Sequence, residues 1–275
     1  MKVSVITVCF NAIRGIEKTI QSVLSQSYPE IEYIVIDGGS NDGTVDVIRK
    51  YSESLFYFVS EPDNGIYDAM NKGVKVATGE WINFMNAGDC FFNNRSVEQV
   101  FENEILSSVD VVYGFQVHVF SFGRYVRKRL SLSNFHAGMP FGHEASFVRS
   151  EIMKSHDFCT SFKILADYNF FYQLYVKGGS FHFVNVIVTI YDNIEGASSS
   201  DKNALLILDE FAKIKGTYNT SSYKKARNIK RIKLIIKKSL SFFSKRLVSR
   251  WQHRKIIHQE EFIPLDTFLL TYTAT

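Results

Sequence analysis

Apolar and polar residues alternate in blocks through the first half of the chain. "KVSVITV" (2–8) is a β-branched run that predicts a strand, and in 15–27 the residues Ile16, Ile20, Val23 and Leu24 fall at helical spacing. "IEYIVID" (31–37) predicts the next strand and "GTVDVIRKYS" (43–52) the next helix. "LFYFVS" (55–60), a helix from Tyr67 to about Ala77, and "EWINFM" (80–85) continue the alternation. Strands and helices in strict turn imply βαβ units and a largely parallel sheet, and strands buried on both faces read as unbroken apolar runs, as these do. Beyond residue 95 the pattern loosens. "VDVVYGFQVHVF" (109–120) predicts a strand or hairpin arm, "FKILADYNFFYQLYVKGG" (162–179) a helix stopped by its two glycines, and "SFHFVNVIVTIYD" (180–192) another strand.

The polar residues fall at the strand ends. The first strand ends in Cys9-Phe10-Asn11, the second in Asp37-Gly38-Gly39-Ser40, the third in Glu61-Pro62-Asp63-Asn64-Gly65 and the fourth in Asn86-Ala87-Gly88-Asp89. In an open parallel sheet these carboxyl ends share one edge, the edge where ligands bind. One aspartate after one strand is ordinarily a turn or capping residue. Acids and small residues after four strands predict a polar ligand site. "DGGSNDGT" (37–44) lacks the G-x-G-x-x-G spacing of a dinucleotide site, and no G-x-x-x-x-G-K-[ST] phosphate loop is present, so the ordinary NAD and ATP signatures are absent. Asp42 or Thr44 can cap the next helix, and glycine lets the backbone approach a ligand closely.

Composition narrows the class. The chain has 275 residues, 45% of them hydrophobic, with 24 Phe and 14 Tyr, enough for one α/β domain and an appendage. Its three cysteines, Cys9, Cys90 and Cys159, form no C-x-x-C, which argues against a disulfide framework or a zinc site and fits a reducing compartment. "VSVITV" is too short for the apolar core of a secretory signal, and no apolar run reaches the roughly 18–20 residues that span a bilayer. The formal net charge of +4 conceals an asymmetry: residues 211–259 hold 15 Lys/Arg and no Asp or Glu, leaving the remainder 17 cations against 28 acids.

Taken together, "VSVITVCFNA", "YIVIDGGSNDGT", "SEPDNGIYDAMNKGVKVATGEWINFMNAGD" and "FKILADYNFFYQL" resemble the family 2 glycosyltransferases of the GT-A fold, most of all bacterial enzymes of surface-polysaccharide assembly such as O-antigen or capsule. The resemblance covers about residues 1–200. It implies an α/β fold with a mainly parallel central sheet flanked by helices, and inverting hexosyl transfer from a nucleotide-diphosphate sugar, UDP-linked, to a saccharide acceptor. By this resemblance Asn11 and Asp37 meet the nucleotide base and Asp63 lines the same pocket; Gly39 is counted with them as nucleotide-sugar-binding, and Lys72, on the helix after Gly65, can approach a phosphate. A D-x-D-like element after the fourth strand binds Mg²⁺ or Mn²⁺ against the diphosphate, and Asp167 in "LADYNFF" is the general base. Here the element reads Asn86-Ala87-Gly88-Asp89, so a single acid, Asp89, remains to carry the metal, and Asn86 faces the donor. His143 and Glu144 in "MPFGHEASFVR" face the same cleft in the family and can contact acceptor or diphosphate; a structural histidine is the plainer reading. For Lys72 the plainer reading is a solvated helix face, and for Asp167 an exposed helix acid. "EGASS" (195–199) resembles a loop that closes on the donor. The reduced D-x-D keeps a non-catalytic nucleotide-sugar-binding protein as the alternative.

Within 224–251, Ile229, Ile232, Ile236, Leu240, Phe243, Leu247 and Trp251 step by three or four, flanked by lysines and arginines. A basic amphipathic helix of this kind suits an anionic membrane surface; packing on the body is the competing reading, and nucleic acid is set aside because the body is acidic. The expected organisation is a catalytic domain over 1–205 and a basic helical region over 206–275, the protein cytoplasmic and peripheral on the inner face of the plasma membrane, where a lipid-linked or oligosaccharide acceptor lies.

Overall fold

The computed structural model describes residues 1–102, 106–192, 201–243 and 262–272. The chain divides into two compact units, Met1–His118 with Arg129–Tyr191, and Val119–Lys128 with Asp192–Thr275.

In chain order the first half runs β1 (Val3–Cys9), α1 (Ile16–Leu24), β2 (Ile31–Asp37), α2 (Thr44–Arg49), β3 (Tyr57–Ser60), α3 (Ile66–Val76), β4 (Trp81–Phe84), β5 (Cys90–Phe91) and α4 (Ser96–Phe101). Then follow β6 (Val111–Phe120), β7 (Gly123–Arg127), β8 (Ser146–Arg149), α5 (Ser150–Ser155), α6 (Ala166–Val176) and β9 (Phe181–Asp192). Across the first unit the strand order is β6-β8-β4-β1-β2-β3, with β9 pairing β5 and β6. β4, β1, β2 and β3 are mutually parallel, as their apolar runs predict, whereas β8 is antiparallel to both β4 and β6. All seven residues of β1 are buried. Its polar members are satisfied there: the Thr7 hydroxyl donates to the Met85 carbonyl at 2.7 Å, and Ser4 donates to Glu32 at 2.5 Å.

Two predicted elements differ in detail. "LFYFVS" reads as a buried strand, yet β3 is the edge of the sheet, with Phe56 51% and Tyr57 38% exposed. An edge strand has a neighbour on one side only, and an apolar run does not reveal which strand is outermost. The helix predicted over 162–179 begins at Ala166, and residues 162–165 run through a bend before it. Its end is as predicted. Gly178 takes φ 84°, its N–H reaches Tyr175 O, and the Gly179 N–H reaches back to Leu174 O at 2.9 Å, the paired bonds of a Schellman stop.

At the amino ends of the parallel strands lies a network the sequence gives no sign of. Glu32, 3% exposed, accepts from Ser4 Oγ, from Thr78 N and Oγ1 and from Gly79 N, and pairs with Lys2. Burial pushes its carboxyl up, but Lys2, Ser4 and Thr78 outweigh that and bring it down to about 2.

In the second unit β7 pairs antiparallel with β10 (Phe262–Pro264), and Phe120, Phe122, Tyr125 and Phe262 pack as an aromatic cluster. Helices α7 (Ala204–Ile214) and α8 (Ser221–Phe243) are clamped by Asp209, which takes two bonds from the Arg227 fork and one from the Tyr223 hydroxyl; α9 (Leu265–Tyr272) follows β10. Along α8, Ile229, Ile232 and Ile235 are 45%, 56% and 58% exposed. The later members of the predicted stripe, Ile236 to Trp251, lie outside the residues whose side chains are described. Among the described residues no helix is long and apolar enough to cross a membrane.

Candidate active site

The order β3-β2-β1-β4 places a topological switch point beside β1, whose two neighbours, β2 and β4, lie on opposite sides of it. A crevice opens outside the carboxyl ends at such a point. The loops there are tied to each other. The Asn11 N–H donates to Ser40 Oγ at 2.7 Å, and the Asn41 N–H donates to Asn11 Oδ1 at 3.0 Å. Asn11 adopts φ 49°, the left-handed region that Asn tolerates better than most residues, and is exposed. Asp42 accepts from the Ile13 and Thr44 N–H groups, and Thr44 Oγ1 accepts from Ala12 N. The loop after β1 and the start of α2 are therefore one structure.

Asp37 is wholly buried and engaged by five donors: Gly39 N, Ser40 N and Oγ, Ser60 Oγ and Cys9 Sγ. Burial raises its carboxyl, but the Ser40 and Ser60 bonds prevail and hold it below the usual carboxylate range. It shapes the 38–40 loop from beneath. Gly39 takes φ 83° in that loop. Gly38 presses against Asp63: a Cβ added there would lie 2.4 Å from Asp63 Oδ2 and 3.4 Å from Phe10 Cδ2. Asp63 accepts from Gly65 N at 2.8 Å. Phe10, 62% exposed beside them, presents an aromatic ring to solvent. The sequence reading passes over it; its only signal is a large apolar residue one place beyond the end of a buried strand. Lys72 is drawn to the β3 side, donating to the Pro62 carbonyl and pairing with Glu61 at 2.7 Å. Asn71, on the same helix, is structural, exchanging two bonds with the Phe158 backbone.

The other half of the site is built by β4, α1, α3, α6 and the turn His143–Ala145. In Asn86-Ala87-Gly88-Asp89 the Asp89 N–H closes on the Asn86 carbonyl, and Gly88 takes φ 105°. Thr19 of α1 fixes this turn from behind, donating to the Asp89 carbonyl at 2.7 Å and accepting from Gly88 N at 2.9 Å. A Cβ on Gly15 would lie 2.9 Å from Gly88 Cα, so glycine is needed there for helix and turn to touch. Asp89 itself is 7% exposed.

Asn83 of β4 donates to the carbonyls of Glu144 and Ser146, which locks the 143–145 turn beside the end of β4. From there a chain of polar contacts runs across the site. Gln116 of β6 donates to Glu144 at 2.8 Å; Glu144 lies 3.4 Å from His143 Nε2; His143 Nδ1 lies 3.1 Å from Asp167 Oδ2; and the Tyr67 hydroxyl of α3 lies 2.9 Å from Asp167 Oδ1 and 2.5 Å from the Ile164 carbonyl. His143 Nε2 is also 3.1 Å from the Asn86 amide nitrogen, and Asn86 Oδ1 is buried without a partner. Burial lowers the affinity of His143 for its proton, but Glu144 and Asp167, with Asp89 behind them, outweigh this and raise it to about 9. For Asp167, burial pushes up and His143 pushes down harder, leaving the carboxyl below its ordinary range and ionised at neutral pH.

The structure thus brings together Asn86, His143, Glu144 and Asp167 in one contact network, with Asp89 in the same turn as Asn86, and it gathers Asn11, Asp37, Gly39 and Asp63 at the ends of β1 to β3. Tyr67, Thr19 and Gln116 support the site as well; Tyr67 stands in a quoted motif without an assigned role, and no motif in the sequence announces Thr19 or Gln116. Residues 195–199 lie outside the described residues. Among the described residues no three His, Cys, Asp or Glu side chains form a cluster able to hold a metal. One carboxylate, Asp89, is a donor set that suits Mg²⁺ or Mn²⁺ where substrate phosphates and water complete the shell.

The model of the family described as "Glycosyl transferase family 2" matches residues 4–167. An uncharacterised glycosyltransferase of Mycobacterium tuberculosis is 38% identical over 176 residues, 61% of this chain and 66% of that protein. A "PGL/p-HBAD biosynthesis glycosyltransferase" of the same species is 26% identical over 215 residues, 72% of this chain and 79% of its own. Among solved structures, S. aureus TarS 1–349 in complex with UDP-GlcNAc superposes with a TM-score of 0.63 at 20% identity, covering 82% of this chain and 69% of that one. The mannosyltransferase PcManGT from Pyrobaculum calidifontis, in complex with GDP-Man and Mn²⁺, gives 0.59 at 19% identity, covering 85% and 69%. Those two likenesses show the fold alone, a GT-A-like mixed sheet between helices. The family match covers more than half of the chain and spans the strand ends that build the site: this protein belongs to glycosyl transferase family 2, a family of transferase enzymes.

Proposed function

We propose that this chain is an inverting glycosyltransferase that moves a hexosyl group from a nucleotide-diphosphate sugar, UDP-linked, to a saccharide acceptor carried on a polyprenyl diphosphate, in surface-polysaccharide assembly. One observation carries the reading: Asp167 is ionised and held by donors from two other elements, at the same sheet edge as the Asp89 turn. The acceptor hydroxyl attacks C1 of the donor sugar from the face opposite the diphosphate. The C1–oxygen bond breaks, its electron pair stays on the diphosphate, and Asp167 takes the hydroxyl proton. Single displacement needs no second carboxylate as nucleophile, as in inverting glycoside hydrolysis.

Asn11, Gly39 and Asp63 line the nucleotide side, with Asp37 holding their loop in shape and Phe10 offering its ring to the base. Lys72 stands at that side, available to a phosphate if it leaves Glu61, and Asn86, His143 and Glu144 face the diphosphate and the acceptor. Asp89 would hold Mg²⁺ or Mn²⁺, which neutralises charge on the departing diphosphate when bound. The structures of TarS with UDP-GlcNAc and PcManGT with GDP-Man and Mn²⁺ support a nucleotide sugar and a divalent ion for this fold.

The membrane part of the reading rests on α8. Its eight Lys/Arg, no acid, and exposed Ile229, Ile232 and Ile235 suit an anionic bilayer at the cytoplasmic face, where a lipid-borne acceptor would be presented. The deciding experiment is nucleoside diphosphate release from UDP-N-acetylglucosamine, UDP-glucose and GDP-mannose, with Mn²⁺ and with EDTA, by wild type and Asp167→Asn. The variant should keep donor-induced thermal stabilisation and lose roughly 10²- to 10⁴-fold in turnover. Near-normal turnover by Asp167→Asn would remove Asp167 as the base.

A further inference from the structure

His143 lies between the Asn86 turn and the helix that bears Asp167, within hydrogen-bonding distance of both. It comes from neither a strand end nor the helix that bears the base, but from a three-residue turn after Gly142. That turn is held on three sides. Asn83 takes the Glu144 and Ser146 carbonyls, Ser146 Oγ donates to the His143 carbonyl at 2.7 Å, and Gln116 holds the Glu144 carboxylate. The side chain on this supported turn sends its two ring nitrogens to different partners: Nδ1 to Asp167 Oδ2 at 3.1 Å, and Nε2 to the Asn86 amide at 3.1 Å and toward Glu144 Oε1 at 3.4 Å.

The two contacts are unequal. Asp167 is ionised and accepts only, so Nδ1 carries a proton toward it whatever the state of Nε2. Oδ1 of the same carboxylate meets the Tyr67 hydroxyl. The carboxylate is therefore pinned at both oxygens, by α3 on one side and by the 143–145 turn on the other. A carboxylate offers about four lone-pair sites, so it can take these donors and still accept from an acceptor hydroxyl. A catalytic group misplaced by about 1 Å can cost on the order of 10²-fold in rate. The Tyr168 backbone N–H is a further donor to the same carboxylate, from the base's own helix.

We propose that His143 is the positioning residue of the base: its Nδ1–H fixes the Asp167 carboxylate for proton transfer, and its contact with Asn86 is secondary. This rests on the glycosyltransferase reading above and goes beyond it in giving the histidine a role toward the base in place of one toward acceptor or diphosphate.

Side-chain length separates the two contacts experimentally. An asparagine at 143 can put an N–H where Nδ1 stands, and a glutamine can put its amide oxygen, an acceptor for the Asn86 N–H₂, where Nε2 stands. Nucleoside diphosphate release and donor-induced thermal stabilisation are measured for His143→Ala, His143→Asn, His143→Gln and Asp167→Asn, with the donor that wild type turns over. Melting temperatures of the free variants show that each folds. The expected pattern is a fall in kcat of at least about 30-fold for His143→Ala with donor KM within about 3-fold, recovery of most of that loss by His143→Asn, and none by His143→Gln. Rescue by Gln and not by Asn, a defect confined to donor KM, or a His143→Ala kcat within about 3-fold of wild type would each overturn it. If Asp167→Asn is inactive while His143→Ala is not, this inference alone fails; if Asp167→Asn is active, the base assignment falls with it. Should His143→Ala not fold, the Asn and Gln pair still decides the question between them.

Discussion

Glu32→Gln tests the energetics of the scaffold apart from its chemistry. Glu32 lies at the amino ends of the parallel strands and the candidate site at their carboxyl ends. Its carboxylate, 3% exposed, accepts from Ser4, Thr78 and Gly79 and pairs with Lys2. The group stands at about 2 in the folded chain against 4.5 for an ordinary glutamate, so folding binds its charged form better by ~3 kcal/mol. The folded value is the depressed one. The contribution is therefore complete above pH 4.5 and is lost as pH falls toward 2. Glutamine keeps one acceptor oxygen but loses the ion pair and turns an N–H₂ toward donors, so at pH 7 it should cost ~3 kcal/mol. Urea unfolding of wild type and Glu32→Gln, followed by circular dichroism from pH 7 down to pH 2, reads this directly. The two curves should converge at the acid end, and nucleoside diphosphate release at pH 7 should be unchanged where both are folded. A difference below about 0.5 kcal/mol at pH 7, or one that does not shrink with acid, would refute the reasoning.

Three further outcomes follow from contacts described above. Gly38→Ala puts a methyl 2.4 Å from Asp63 Oδ2, so Asp63 must move; donor KM should rise on the order of 10-fold in steady-state assays with kcat little changed. Thr19→Val leaves the Gly88 N–H and the Asp89 carbonyl without their buried partner, which should cost ~2 kcal/mol in urea unfolding and raise the Mn²⁺ concentration needed for half-maximal turnover. Ile232→Glu on α8 adds a charge to an exposed apolar position, and co-sedimentation with phosphatidylserine-containing vesicles at low salt should fall by about 10-fold while donor-induced thermal stabilisation in solution is kept.

The periodicity of the first hundred residues was sufficient for β1, β2, α3 and β4, because an unbroken β-branched run and a 3.6-residue apolar repeat are local properties that the fold preserves. The strand ends could be aligned for the same reason: in a parallel sheet every carboxyl end reaches one edge, so Asn11, Asp37, Asp63 and Asn86 could be grouped before their neighbours were known. Asp167 and His143 needed the family resemblance, since neither their spacing from each other nor their spacing from β4 has local meaning.

What only tertiary structure decided is which polar group meets which. "NAGD" announces a turn with one acid, but that Thr19 holds the turn from an adjoining helix follows from a close approach of Gly15 to Gly88, far apart in the chain. Asp37 reads as a ligand contact; burial and five donors make it the support of its own loop. Lys72 reads as a phosphate contact, and Glu61 claims it. Glu32, with no signal in the sequence, is the buried tie between the starts of three strands. The sequence by itself determined the periods, the order of elements and the kinds of group at the sheet's edge, because those depend on neighbours within a few residues. Pairing depends on distances between residues far apart in the chain, and those distances are set when the sheet order closes around β1 and the 143–145 turn docks beside the end of β4.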